Sequence, residues 1–179
     1  MKGHTPKRVT GFTLVELVIV VLILSVLAAI VIPQFTSSTD DAKRSALDSS
    51  LAGIRTAIDL YYQNHGHYPS SVTAAGATCP GTGTAGTGAV DTPQAFIDQL
   101  NRYTNAAGQA CSTTDATFKY GPYYKKDALP ADPITGTNNT LVIVTTGDLA
   151  MTADGTAGGW KFDNVTGKFI MNHTDYDDR

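Results

Sequence analysis

The chain changes character abruptly twice within its first third. Residues 1–11, Met-Lys-Gly-His-Thr-Pro-Lys-Arg-Val-Thr-Gly, are polar and basic through Lys2, Lys7 and Arg8, and from Phe12 to Ile32 nearly every position is apolar. A run of about 20 apolar residues is long enough to cross the hydrocarbon core as a helix. Helical form is imposed there, because lipid offers backbone groups no partner. The basic residues predict a cytoplasmic N-terminus, with the rest of the chain outside. After Pro33 the pattern becomes periodic. Between Ala42 and Asn64, the residues Leu47, Leu51, Ile54, Ile58 and Tyr61 recur at helical spacing and form one apolar stripe. Asp48, Arg55 and Asp59 take other faces, Gly53 is a mild cost, and Asn64-His65-Gly66 is a fitting stop. Together the segments predict one helix from Phe12 to about Asn64, roughly 80 Å long. Its first half is apolar all round and its second half is amphipathic.

The remaining pattern is shorter in wavelength. Residues 72–88 are rich in Ala, Gly and Thr and read as a loop. Thr92-Pro93 predicts a short helix with Thr92 as N-cap, placing Phe96, Ile97, Leu100 and Tyr103 against a core. Strand-like runs follow at Phe118–Tyr124, Leu141–Thr145, Trp160–Phe162 and Lys168–Ile170, and the last two flank a turn at 163–167 that reads as a hairpin. An α+β architecture is expected, with a long N-terminal helix packed on a small antiparallel sheet.

One residue breaks the apolar segment. Glu16 is a carboxylate inside a spanning helix, which is costly and points to function; the bland alternative is a side chain that snorkels to the interface. A cut after Gly11 would give Phe12 an ammonium group one turn before Glu16, at a helix end that favours negative charge. An ordinary secretory signal fits poorly, because its apolar part is shorter and a small-residue cleavage site follows it. A plain signal anchor stays open on hydropathy alone.

Gly11-Phe12-Thr13-Leu14-Val15-Glu16-Leu17 resembles the class III signal of type IV prepilins and type II secretion pseudopilins. The resemblance implies a pilin fold and a cut between Gly11 and Phe12 by a membrane-embedded prepilin peptidase that also methylates the new N-terminus. It implies that Glu16 neutralises the Phe12 amine of an adjacent subunit during assembly, and Pro33 matches a proline common in the family. It divides the chain into a leader (1–11), a membrane and filament-core helix (12–33), an amphipathic continuation (34–64) and an exported head (65–179). The implied partners are copies of itself or related pilins, the peptidase, and an inner-membrane assembly platform with its ATPase. The implied location is the bacterial inner membrane, then a periplasmic pseudopilus or a surface pilus. Ala57 to Tyr62 with His67-Tyr68-Pro69, Gly121-Pro122-Tyr123, Leu129 to Pro133 and the Trp160 hairpin are similar to the same family more loosely. The cysteine-bearing insertion at 72–115 departs from the compact major pseudopilin pattern.

Composition narrows the chemistry. The 179 residues carry a net charge of −3 with no basic patch, which gives no ground for a nucleic-acid partner. The two cysteines, Cys79 and Cys111, lie in the exported part, where an even count favours a disulfide over two buried thiols. The loop it closes, roughly 30 residues, corresponds to about 3–4 kcal/mol. Gly81 to Gly86 spells G-x-G-x-x-G, but no strand precedes it, so it is not a nucleotide loop. Major pseudopilins bind calcium in a C-terminal loop, and Asp148, Asp154 and Asp163 could supply hard oxygen ligands; a solvated acidic loop is the competing expectation. His65 and His67 form an H-x-H pair with no further ligands. The sequons at Asn138, Asn164 and Asn172 fit chance in a Thr-rich chain. No nucleophile–base–orienter set is present, so catalysis is not expected. The rival classes are a signal-anchored binding domain that does not polymerise and a membrane-anchored enzyme. Neither needs the Gly11-Phe12 junction.

Overall fold

A computed structural model describes residues 11–125, 128–137 and 141–179, so leader residues 1–10, with Lys2, Lys7 and Arg8, and the Asn138 sequon lie outside it. The element order is α1 (Leu14–His65), α2 (Pro93–Asn101), β1 (Tyr103–Thr104), β2 (Ala110–Cys111), β3 (Leu141–Thr145), β4 (Trp160–Asp163) and β5 (Phe169–Met171). The chain forms two compact units, Met1–Ala42 and Lys43–Arg179. The second half of α1 belongs to the larger unit because its stripe supplies the core there.

In the first unit, Leu14–Ile32 is 19 residues of helix, long and apolar enough to cross a membrane, with no part buried. Its serine is satisfied internally: Ser25 Oγ donates to the Val21 carbonyl at 2.7 Å, which removes a polar cost in lipid. α1 runs through Pro33 without a break.

In the second unit, Leu47, Leu51, Ile54, Ile58 and Tyr61 are all buried with Phe96, Leu100, Trp160, Phe162 and Phe169. The predicted stripe is therefore the packing face. α1 ends where expected: Gly66 takes φ +74° and its N–H returns to the Tyr62 carbonyl at 2.7 Å, a left-handed cap that glycine adopts without strain. Thr92 caps α2, its side chain accepting from the Ala95 N–H at 3.3 Å.

β4 and β5 form the predicted antiparallel hairpin, pairing Trp160 with Met171 and Phe162 with Phe169. β1 and β2 form a second antiparallel pair. β3 joins β4 in parallel. Parallel neighbours need a crossover of a dozen or more residues, and the long segment 146–159 provides it. The run Phe118–Tyr124 does not become a strand. Only Tyr120 bridges, to Thr104, because Pro122 has no N–H to continue a ladder; its aromatics serve the core instead, Tyr123 and Tyr124 packing against it.

A pentapeptide repeat organises the loops. Asp132-Pro133-Ile134-Thr135-Gly136 and Asp163-Asn164-Val165-Thr166-Gly167 fold alike. In each, the aspartate accepts from the N–H groups two and three residues on. The threonine hydroxyl returns to the same carboxylate, and the glycine closes the turn at φ +73° and +75°.

Candidate functional site

The predicted processing site lies at the start of α1. Gly11, Phe12 and Thr13 precede the helix, outside regular structure and exposed, so the Gly11–Phe12 peptide bond is accessible; Phe12 is 78% exposed. Thr13 and Glu16 then form a reciprocal cap. The Glu16 N–H donates to Thr13 Oγ1 at 3.3 Å, while Glu16 Oε2 accepts from the Thr13 N–H at 2.9 Å and its hydroxyl at 2.7 Å. Two helix-end donors are thereby satisfied: the carboxylate that breaks the apolar run accepts from the Thr13 N–H, and the Thr13 hydroxyl oxygen accepts from that of Glu16. Sequence reasoning missed this second role, although Thr13-Leu14-Val15-Glu16 is the T-x-x-E pattern of a capping box. An ammonium group created on Phe12 would sit one residue before this cap, next to a carboxylate already oriented toward the helix end. Pro33 lies within α1, apart in sequence from this cap.

The predicted cysteine pair is joined. Cys79 and Cys111 are disulfide-bonded with Cα atoms 5.7 Å apart, which ties the loop after Tyr68 to β2. The glycine-rich stretch 81–86 packs around this link: Gly83 N–H donates to the Pro80 carbonyl and Gly86 N–H to that of Ala110. α2 opens at Pro93, not from this stretch, so nothing aims a helix N-terminus at a phosphate.

The three aspartates considered for calcium occupy different roles. Asp163 is fully buried. Its Oδ1 accepts from the N–H groups of Val165 and Thr166 and the Thr166 hydroxyl, and its Oδ2 accepts from the Thr145 hydroxyl and the Asp148 N–H at 2.7 Å. Burial works against its charge, but these donors outweigh it and hold its pKa down at about 2. Asp154 pairs with Lys161 Nζ at 2.7 Å, and Asp148 Oδ1 accepts from the Ala150 N–H. Among the described residues, no group of three or more His, Cys, Asp or Glu could hold a metal ion. Calcium requires six to eight oxygens, and the oxygens of Asp163 are already committed to polypeptide donors. This donor set does not fit the ion as arranged. Asp132 repeats the logic: burial opposes its charge, and donors from Thr135, Gly159 and Ile134 hold its pKa below the usual carboxylate range.

His65 and His67 meet at the exit of α1, their ring centroids 5.7 Å apart. His65 stacks on Tyr61 at 4.2 Å, and its Nε2 contacts the Thr104 hydroxyl at 2.9 Å and the Tyr123 hydroxyl at 3.2 Å. Burial, then the neighbouring His67, lower its pKa to about 4 against a weaker pull from the Ala106 carbonyl. The pair is a packing element of the core edge. Asn164 and Asn172 are buried, so neither sequon is presented on the surface.

Comparison with known proteins places the first of these features in context. Residues 6–32 match the family model of the prokaryotic N-terminal methylation motif. A type II secretion system core protein G of Pseudomonas aeruginosa is 40% identical over 65 residues, 36% of this chain and 46% of that one. A type IV major pilin protein of Neisseria gonorrhoeae is 40% identical over 70 residues, 39% of this chain and 42% of that one. A fimbrial protein of Neisseria meningitidis is 42% identical over 66 residues, 37% and 39% of the two chains. The chain thus matches under half the length of each of these relatives. No solved structure matches it.

Proposed function

We propose that this chain is the structural subunit of a helical filament of the type IV pilus kind, processed by a prepilin peptidase and polymerised from the inner membrane. The observation that carries the reading is the combination at residues 11–32: an accessible Gly11–Phe12 bond, a carboxylate held one turn later, and a helix with every side chain exposed. That helix suits lipid before assembly. Packed among identical helices it keeps an apolar environment, so transfer from bilayer to filament is a modest change. Glu16 is the specific element. In a single chain it is held by Thr13; in a filament it pairs with the amine of a neighbour's Phe12, which neutralises both charges away from water.

The role is mechanical, with no catalytic step assigned to the chain. Its partners are copies of itself or related pilins, the peptidase, and the membrane platform with its ATPase. Similarity to both a secretion-system core protein and pilins supports either a periplasmic pseudopilus for protein secretion or a surface pilus for adhesion or motility. The acidic segment 148–163 is fastened by amide, hydroxyl and lysine donors, and we read it as needing no cation; equal melting temperatures in calcium and in chelator test this.

The direct test is a polymer assay in cells carrying a prepilin peptidase and assembly platform. Sheared filaments containing the wild-type chain, and their loss in Glu16→Leu with processing intact, are expected. A processed wild-type chain that never leaves the membrane as polymer would instead favour the signal-anchored domain.

A further inference from the structure

Among the described residues, five buried side-chain polar atoms have no hydrogen-bond partner: Tyr61 Oη, His65 Nδ1, Asn164 Oδ1, and both Nδ2 and Oδ1 of Asn101. Of these residues, Asn101 is the one that leaves an entire carboxamide unmatched. A buried amide without partners is costly, and native structures rarely hold one. Asn101 closes α2. With the next two residues, Arg102 and Tyr103, it lines a cavity of about 350 Å³, and Thr84 and Ser112 complete the lining.

The walls are fixed within the chain itself. Ser112 follows the disulfide-bonded Cys111. Its N–H donates to the Thr84 carbonyl at 3.0 Å, and its Oγ accepts from the Thr84 N–H at 2.8 Å. Arg102 Nη1 donates to the Thr84 carbonyl at 3.1 Å and to Thr84 Oγ1 at 3.2 Å. Tyr103 pairs with Cys111 across β1 and β2. Small-molecule sites are cavities of this size that exist before the ligand arrives, and fixed walls reduce the entropy lost on binding.

The groups left over specify the ligand. Arg102 is the single charged side chain in the lining, and Asp98, only 2% exposed, already neutralises it at 3.2 Å. An anion would shed its water there for a cation that is already paired. What remains uncommitted has both hydrogen-bonding senses. The Asn101 amide donates through Nδ2 and accepts through Oδ1. Arg102 Nη2 and the hydroxyl hydrogens of Thr84, Ser112 and Tyr103 have no acceptor among the described residues, and all of them donate. A ligand hydroxyl also donates and accepts, so adjacent hydroxyls on a ring match this set. The body of Tyr103 adds apolar surface for the ring's C–H groups.

We infer that this cavity binds a single neutral ring sugar, with adjacent hydroxyls on the Asn101 amide and others on Thr84 and Ser112. The inference does not depend on the filament reading.

The test is isothermal titration calorimetry of the full chain, held in a detergent without a sugar headgroup. Glucose, galactose, mannose and N-acetylglucosamine are the probes, with glucuronate and inorganic phosphate as charged comparisons. Saturable binding of at least one neutral sugar is expected. Asn101→Ala should weaken it about tenfold, and Tyr103→Phe about threefold, with Trp160 fluorescence unchanged. Tyr103→Phe removes a hydroxyl that bonds nothing within the chain, so it reads the site even where Asn101→Ala disturbs folding. No saturable heat from any neutral sugar would overturn the inference. Tighter binding of glucuronate or phosphate than of every neutral sugar would overturn it too, as would binding that Asn101→Ala and Tyr103→Phe both leave unchanged. Each of these results leaves the filament reading standing.

Discussion

Replacing Asp163 by alanine removes one acceptor group that serves five donors: the Thr145 and Thr166 hydroxyls and the N–H groups of Asp148, Val165 and Thr166. A hydrogen bond to a charged partner contributes roughly 1.5–3 kcal/mol, and leaving a buried donor unmatched costs about 1–3 kcal/mol. Some of these donors can turn to water, so two or three count in full. The expected loss is about 3–5 kcal/mol, a large share of the stability of a domain of this size. Asp148→Ala removes only one exposed contact, to the Ala150 N–H, and should cost under about 1 kcal/mol. Guanidinium unfolding of the full chain in detergent reads this cleanly, since Trp160 is the single tryptophan and is fully buried. Near-equal losses for the two variants, disappearing in chelator, would refute the reasoning and indicate a loop held by a cation.

Three further outcomes follow from the geometry. Burial of His65 makes stability fall in acid: above pH 6.5 its ring is neutral whether folded or not, and between 6.5 and about 4 the unfolded chain takes up a proton that the folded one refuses. His65→Phe should flatten that part of a stability–pH curve and leave the later decline below pH 3.8, where Asp163 resists protonation down to about 2; an unchanged slope between 6.5 and 4 counts against it. The paired change Cys79→Ala with Cys111→Ala should lower stability by about 3–4 kcal/mol for a link spanning 32 residues, read by denaturant unfolding. Gly167→Ala, at φ +75° and with its Cβ driven into the Tyr68 ring, should cost about 1–3 kcal/mol, and a wild-type midpoint would contradict the close approach.

The parts of the fold legible in the sequence are those with long-range periodicity or a local signal. Leu47 to Tyr61 announced their packing face, Gly66 its cap, and Thr92-Pro93 the start of α2. Trp160 to Ile170 showed a hairpin because alternation and a glycine turn coincide. Phe118–Tyr124 misled, because aromatic content suits a strand and a core edge equally; the prolyl ring at 122 decided the matter. The parallel partnership of β3 with β4 was invisible, since nothing local distinguishes a strand that pairs after a long crossover from one that pairs at a tight turn. At the N-terminal site, Glu16 stands out as a carboxylate in an apolar helix, whereas Gly11 and Phe12 are singled out only by the resemblance to a prepilin signal. Thr13 carries no charge and shows its part only when the helix-end donors are counted, its hydroxyl oxygen accepting from the Glu16 N–H. The Asp132 and Asp163 turns share a readable D-x-[I/V]-T-G repeat, but Asp163 taken singly looks like a ligand source, and only the two turns side by side show the aspartate as the acceptor that closes each.

The central claim is that the chain is cut between Gly11 and Phe12 and modified there before it polymerises. Intact-mass spectrometry of the membrane-extracted protein tests it most directly, in cells with an active prepilin peptidase. The account predicts a mass lacking residues 1–11, carrying one added methyl group, and two hydrogens lighter without reductant than with it. A mass equal to the full, unmodified chain would contradict it and leave a membrane-anchored domain that keeps its leader.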